Sequence, residues 1–343
     1  MKVYLILYIF LQMLFSTELL AQGEYIQTFT DHFLVKVGAN NRSLDLTLSP
    51  RVRGITQFDK LLWYRPSVQN TIGVGVSFKD IGLSYSFKLA QRPATRSAQG
   101  NSKYFDMQLH SLGRKYGYDI YYQNYQGYYI VDLKNIVNNF INGVAFERRD
   151  DLRLQNISAN FFYVFNSEKF SYRAAFVLDE KQLKNAGSFI LTSSLGHFRA
   201  SADSSFIPDS NALGFDNEAF FKQSDFYTFS ATPGYAYTFV SRKGFYLSLS
   251  ASGLIGIQYN ENRAENSFDS GVGYFLKGIG RGAVGYNHKN WILGVTASAD
   301  IQGMNTRYVQ YRTNNLDILA FVAYRIKTKW MEGQKSVFER KKG

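Results

Sequence analysis

Cysteine is missing altogether from the 343 residues. That excludes disulfides, zinc–thiolate sites and cysteine nucleophiles, and it leaves no thiol to carry a lipoprotein anchor. A chain that crosses an oxidising compartment loses nothing by the absence. Proline (5) and tryptophan (3) are scarce as well. Past the N-terminus, no apolar run approaches the roughly 18–20 residues that a spanning helix needs. Also missing are a phosphate-binding loop with its Lys and Ser/Thr, a His-Glu-x-x-His zinc motif and a Gly-x-Ser-x-Gly nucleophile turn.

What is present points to strands. Aromatics make up 17%, with 29 Phe and 25 Tyr, beside 28 Gly, and that excess favours strands and tight turns over helices. With 45% hydrophobic and 19% charged residues, low-hydrophobicity disorder is excluded. The start, "MKVYLILYIFLQMLFSTELLAQG", has Lys2, an apolar core from Val3 to Phe15 broken only by Gln12, and a polar segment ending at Ala21. It reads as a secretory signal peptide over 1–21, with the large Leu19 at the −3 position. Lys2 and Glu18 cancel, so the remainder keeps the net charge of +12. If this exported chain meets a membrane integrally, only a closed barrel is open to it.

Alternation supports that reading. Ile72, Val74, Val76 and Phe78 alternate with Gly, Ser and Thr, and after Lys79-Asp80 so do Ile81, Leu83, Tyr85, Phe87 and Leu89. Phe105, Met107 and Leu109 oppose Asp106, Gln108 and His110; Ile157 to Phe165, Phe245 to Ala251, Trp291 to Ile301 and Ile318 to Ile326 alternate likewise. In "FSYRAAFVLDEKQLKNAGSFIL", Phe170, Tyr172, Ala174, Phe176 and Leu178 share one side, which predicts a strand with its aromatics in lipid and Arg173 inside. Such runs are near the 9–11 residues of a tilted spanning strand and exceed the usual 5–6. The expected fold is all-β: an antiparallel transmembrane β-barrel over 22–327 with about twelve strands, in a range of about ten to fourteen, and Tyr/Phe girdles at both interfaces.

Short links at Lys79-Asp80, Gly113–Gly117, Asn166–Glu168, Ser241–Gly244 and Asn287–Asn290 read as periplasmic turns. Counting strands between them leaves an odd mismatch between about 179 and 224. Either "GSFILTSSLGHFRA" does not span, or "SSFIPDSNALGF" hides another crossing. Links around 91–102, 126–150, 201–224, 258–271 and 303–314 are candidate extracellular loops or lumen plugs, and Leu133–Val144 is a candidate short helix.

Several blocks resemble a known family: "LLWYRPSVQNTIGVGVSFK", "YFDMQLHSLGRKYGYDIYYQNYQGYY", "RRDDLRLQNISANFFYVFNSEKFSYRAAF" and "KNAGSFIL". They resemble a Bacteroidota domain-of-unknown-function family, 4421, of outer-membrane proteins. The most specific residues are Tyr64-Arg65-Pro66, Gly113-Arg114-Lys115, Tyr172-Arg173 and Ala186-Gly187-Ser188. The resemblance covers most of 60–200 and implies an outer-membrane barrel, with no catalytic residue to carry over; Arg65 is its family-motif residue.

Asp106, His110, Asp119, Arg173, Lys277, Arg281, Asp300 and Arg325 are candidate lumen residues. They read either as a wall lined by paired charges or as a polar pathway whose Lys/Arg excess favours anions. "GIGRGAVG" (278–285) mimics a nucleotide loop without its strand-to-helix context, and reads as small residues where the wall is crowded or bent. A lipid hydrolase would need a His to activate a Ser. His110 and Ser111 face opposite ways on a strand, and His197 and Ser201 sit about 13 Å apart.

The leading expectation is a channel or transport-type barrel for small polar or anionic solutes. A structural or assembly barrel with a filled lumen is the alternative, and an outer-membrane lipid hydrolase the third. No cofactor or nucleic acid is implied. The positive charge fits outer-membrane lipid and lipopolysaccharide headgroups, and the basic tail 328–343 is either solvated or in contact with periplasmic partners. Deleting 328–343 separates the two: unchanged membrane assembly and abundance leave a solvated tail, and a loss marks a contact.

Overall fold

A computed structural model describes residues 24–29, 31–52, 55–56, 61–67, 70–78, 81–89, 92–131, 148–208 and 214–328. The expected signal peptide 1–21, Lys79-Asp80, the candidate helix Leu133–Val144 and the tail beyond 328 lie outside the described residues. The strands are β1 (Ile26–Thr28), β2 (His32–Val52), β3 (Ile55–Thr56), β4 (Leu62–Pro66), β5 (Asn70–Phe78), β6 (Ile81–Lys88), β7 (Lys103–Leu112) and β8 (Tyr116–Val131). They continue as β9 (Arg148–Val164), β10 (Glu180–Gln182), β11 (Ala186–Ser201), β12 (Gln223–Val240), β13 (Phe245–Arg263), β14 (Phe268–His288), β15 (Trp291–Asn305) and β16 (Val309–Lys327). Among the described residues, α1 (Pro93–Gln99), α2 (Arg173–Phe176) and a 3-10 turn at Asn217–Ala219 accompany them.

Twelve strands, β2, β5–β9 and β11–β16, form an antiparallel ring. It closes where β16 pairs with β2, from Val309 opposite Pro50 to Lys327 opposite His32. The short turns and the described ends of the chain gather at one mouth, the turn end; the longer connections gather at the other, the loop end. The wall splits on one side. The first half of β2 pairs with β5, Phe33 opposite Phe78, and its second half with β4, Leu46 opposite Tyr64. β4 in turn pairs with the far end of β8. A single strand therefore replaces β5, β6 and β7 near the loop end, and the ring narrows from twelve strands to ten.

The apolar phase inverts along the strands. In β2 the outward Phe33, Val35 and Val37 are exposed, whereas Leu44, Leu46 and Leu48 are buried inside. In β9, Leu152 and Leu154 are buried and Ile157 is exposed; in β16, Val309 and Tyr311 are buried and Leu316, Ile318 and Val322 are exposed. The turn-end half is thus apolar outside, as a wall in lipid must be, and the loop-end half is apolar inside, as a wall in water must be. Ten residues at about 3.4 Å, tilted by about 40°, cover about 25 Å, the height of a lipid-facing band. The remainder of strands such as β2, with 21 residues, projects beyond it. Aromatic contacts outline both edges: Phe33–Phe78, Tyr116–Tyr163 and Trp291–Tyr324 toward the turn end, Phe105–Tyr122 and Tyr227–Tyr259 toward the loop end.

Two expectations are corrected. The stretch from Phe170 is no wall strand: Phe170 (0% exposed) and Tyr172 (5%) face the lumen, not lipid, and α2 begins at Arg173. The Ser171 hydroxyl accepts from the Ala174 N–H at 3.0 Å, so the backbone turns where the alternation suggested extension. Removing this strand also removes the mismatch: β11 spans, and the described parts of 202–222 form no strand of the ring. The links expected over 258–271 and 303–314 shrink to 264–267 and 306–308, because the projecting strands continue above the lipid band.

The β12–β13 turn depends on Gly244, whose φ is +96° and whose added Cβ would lie 2.9 Å from the Asn287 carbonyl oxygen. Gly244→Ala is expected to cost about 1–3 kcal/mol, read as a lower denaturation midpoint of the refolded barrel on a heat-modifiable gel.

Candidate functional site

The lumen has three storeys. At the loop end it is an apolar core. Leu44, Leu46 and Leu48 of β2 and Leu152 and Leu154 of β9 meet Phe206 and Phe221, which the 202–222 connection folds inward. Arg149 fastens this cap, donating to the carbonyls of Ser205 (2.8 Å) and Phe206 (3.1 Å). It also grips Asp151 through both carboxylate oxygens at 2.9 Å. Burial alone would raise the Asp151 pKa; the Arg149 hydrogen bonds and charge outweigh it and hold the carboxyl at about 2. A carboxylate lowered in this way stabilises the fold in full above its unfolded pKa near 3.9, and that contribution fades as pH falls through about 2.

The middle storey is a belt of paired charges. Asp106 accepts from Arg42 at 2.6 Å, Gln123 at 2.9 Å and Tyr125 at 3.0 Å. The other arm of Arg42 reaches Asp317 at 2.6 Å. Gln123 and Asn315 exchange amide hydrogen bonds at 3.2 Å, and Asn156 donates to Gln123 at 2.9 Å. Arg281 holds Asp119 at 2.7 Å and Lys277 holds Asp300 at 3.2 Å. The belt carries Lys36, Arg42, Lys277 and Arg281 against Asp106, Asp119, Asp300 and Asp317, four of each sign. Alternation supplies the inward positions; cross-strand register sets Arg42 beside Asp317 and Lys277 beside Asp300, while Arg42–Asp106 and Arg281–Asp119 reach across the lumen between strands that do not pair. Inside it lies a cavity of about 100 Å³, lined by Lys36, Arg42, His110, Asp119, Tyr121 and Arg281 among others, with room for about three waters.

The turn end is stopped by a plug running from Phe165 to Asn185. Its β10 pairs with β1, Ile26 opposite Gln182, and its Phe176 and Val177 border the cavity. Arg114 donates to Glu180 at 3.2 Å and to Thr28 at 2.8 Å. Arg173 pairs with Asp179 within the plug. Arg325 donates to the Leu178 carbonyl from Nε at 3.1 Å and Nη2 at 2.6 Å, and to Asn287 at 2.8 Å. Leu178 has φ +72°, an unfavourable conformation for leucine that persists only where its surroundings impose it. Asn166 donates from its backbone N–H to Ser188 Oγ at 2.9 Å and from its side chain to the Gly187 carbonyl at 2.8 Å, which fixes the plug's entrance to β11.

All eight candidate lumen residues lie on the inner side, but in two groups. Asp106, Asp119, Lys277, Arg281 and Asp300 form the belt, with His110 on its cavity; Arg173 and Arg325 belong to the plug. His110 Nε2 is buried without a hydrogen-bond partner. Arg65 is elsewhere: it lies 3.2 Å from Asp45 and over the Trp63 ring, on the outer side of the projecting wall. Ser111 faces away from His110, and the partner of His197 is Asp225 at 2.8 Å rather than a serine. The glycines of "GIGRGAVG" sit within β14; Gly278 and Gly280 meet nothing within 4 Å on the outer face, whereas an added Cβ at Gly285 would lie 2.5 Å from the Leu293 carbonyl oxygen. No group of three or more metal-ligating side chains occurs among the described residues.

Sequence reasoning missed Arg42, Asp317, Gln123 and Tyr125, the centre of the belt. The available signal was the phase switch in "FLVKVGANNRSLDLTLSP", where apolar residues change parity around Arg42. Arg42→Ala leaves Asp106 and Asp317 short of their shared cation, and is expected to cost about 3–5 kcal/mol. Arg42→Met combined with Asp106→Asn and Asp317→Asn is expected to restore most of this, both measured by urea unfolding followed by tryptophan fluorescence.

Comparison with known proteins gives a family and distant folds. No curated protein matches the chain significantly. Among solved structures it is similar to the outer membrane protease OmpT from Escherichia coli, at 9% identity and a TM-score of 0.39, over 88% of this chain and 99% of that one. It is similar also to the toluene transporter TodX of P. putida, at 7% identity and 0.26, over 87% and 90%. A third is a Pseudomonas aeruginosa FadL homologue, at 9% and 0.27, over 87% and 90%. By its match over residues 22–326, the chain belongs to the family described as Domain of unknown function (DUF4421).

Proposed function

We propose that the protein is a closed barrel of the bacterial outer membrane with a structural or envelope-assembly role, its turn end in the periplasm and its loop end outside the cell. The observation that carries this reading is the double seal of the lumen. The apolar core with its Phe206–Phe221 cap stops the loop end, and the Phe165–Asn185 plug stops the other. A channel for small polar or anionic solutes needs a continuous polar path and an unneutralised charge along it. The belt offers four cations against four carboxylates, and its polar cavity of about 100 Å³ has apolar packing on the loop-end side. A lipid hydrolase is supported less well, since His197 turns to Asp225 and not to a serine. A closed wall with a filled interior leaves the outer surfaces and the two mouths as the places where the protein can act.

Planar-bilayer recording of the refolded mature protein tests the reading. Silence is expected from barrels shown to be folded by heat-modifiable migration. A variant with 170–183 replaced by a short Gly-Ser link is also expected to be silent, because the loop-end core still seals the lumen. Stable ohmic steps from the wild type, with an anion preference that Arg173→Ala weakens, would overturn it in favour of a channel.

A further inference from the structure

On one side of the wall the outward residues form cross-strand rows whose chemistry changes abruptly with height. Cross-strand pairing puts Ile157, His197, Tyr227 and Tyr259 in one row. The next row toward the turn end is Ala159, Leu195, Phe229 and Ile257. The rows toward the loop end are Gln155, Arg199, Asp225 and Glu261, then Arg153, Ser201, Gln223 and Arg263. An apolar band therefore ends in a line of rings, with His197 stacked on Tyr227 at 4.6 Å and 11° and Tyr227 near Tyr259 at 6.2 Å and 25°. Arginines begin immediately above.

The two apolar rows are not flat. They enclose an outer groove of about 580 Å³, opened by the small side chain of Ala159 among larger neighbours. Ser158, Gly196, Thr228 and Gln258 face inward and contribute mainly backbone to its floor. Such a trough has the chemistry of a fatty acyl chain, and at this height it lies in the outer half of the lipid band.

The polar rows carry an excess of positive charge. Asp225 is already engaged by Arg199 at 2.6 Å, His197 at 2.8 Å and Gln223 at 2.7 Å. Glu261 accepts from Tyr259 at 3.1 Å and stands 3.8 Å from Arg263. Arg153 donates to the neutral Asn124 at 2.8 Å and has no acidic partner among the described residues. Three arginines face two carboxylates, and the side chains of Arg199 and Arg263 are 38% and 58% exposed. Guanidinium groups at that level suit phosphate, which they bind with paired, charge-assisted hydrogen bonds.

We propose that this wall is a binding site for a phosphorylated glycolipid of the outer leaflet, with one acyl chain in the Ala159 groove and its phosphates on Arg153, Arg199 and Arg263. The inference rests on the outer-membrane reading above, and it assigns the outer surface a ligand where the lumen offers none.

The test refolds the mature protein into phosphatidylcholine vesicles doped with a bisphosphorylated bacterial glycolipid or its dephosphorylated form, and counts retained glycolipid after detergent extraction by native mass spectrometry. The wild type is expected to retain the phosphorylated form preferentially. Each arginine removed in R153Q, R199Q and R263Q is expected to weaken retention about fivefold. Ala159→Phe, which fills the groove, is expected to lower retention of both forms, while Arg312→Gln on another part of the wall leaves it unchanged. Equal retention of the two forms, or wild-type retention by the triple variant, would overturn the site. So would stripping by chelator alone, equal in wild type and triple variant, since that outcome assigns the contact to metal bridges on Glu261 and Asp225. Fractionation of the same protein in cells is scored separately: its absence from the outer membrane removes the localisation reading without altering the vesicle result.

Discussion

Water lies on opposite sides of this wall at different heights, and the rest of the structure follows from that constraint. Within the lipid band the outer face must be apolar, so the inner face receives the polar residues and Arg42, Lys277 and Arg281 point inward. Above the band water bathes the outside, so the same strands turn their leucines and aromatics inward and Asp45, Arg65 and Arg199 outward. Side chains alternate along a regular strand, so in β2 the change is made by shifting the apolar residues by one position, between Val37 and Leu44. The inversion produces both a charged storey and an oily one in a single lumen.

Each storey demands its own closure. A projecting barrel that is apolar inside exposes that interior at its rim unless something covers it, and the 202–222 connection does so with Phe206 and Phe221. Charges inside the lipid band cannot be left alone, and the belt answers with neutral sums and a network spanning β2, β7, β8, β9 and β16. The plug then covers the turn end, held by Arg114 through Glu180 and by Arg325 through the carbonyl of Leu178, whose backbone conformation is unfavourable. Replacing three strands by β4 narrows the ring toward the loop end, which lets that storey fill with side chains.

Much of the fold was legible in the sequence. Alternation located β5 to β7, β9, β13, β15 and β16 and put the strand count at about twelve, because the two-residue period is a local property of the backbone. It failed at Phe170–Leu178, where aromatic residues alternate yet pack inward around a helical turn; a lumen-filling segment and a lipid-facing strand both need aromatics, and the period alone does not separate them. It also shortened β13 to β16, because the polar and small residues of their projecting ends, such as Asn260, Asn262, Gly271, Asn305 and Asn314, read as connections. Among the candidate residues, Asp106, Asp119, Lys277, Arg281 and Asp300 were recognised as inward. Arg42, which ties Asp106 to Asp317 across the seam between β2 and β16, was not, since its two partners are 64 and 275 residues away.

The sequence by itself determined the class of the wall: past the N-terminus no apolar run long enough for a spanning helix, strands long enough to cross, and a mixture of large outward and small or polar inward residues. These depend on composition and on the period of the strand, which every residue carries locally. Only the tertiary structure decided that, among the described residues, packed side chains fill both ends of the lumen, that the Phe170 segment is a plug, that the belt charges cancel, and that Arg153, Arg199 and Arg263 line one wall above an apolar groove. Those outcomes depend on ring closure and cross-strand register, which bring together residues far apart in the chain and which no local pattern encodes.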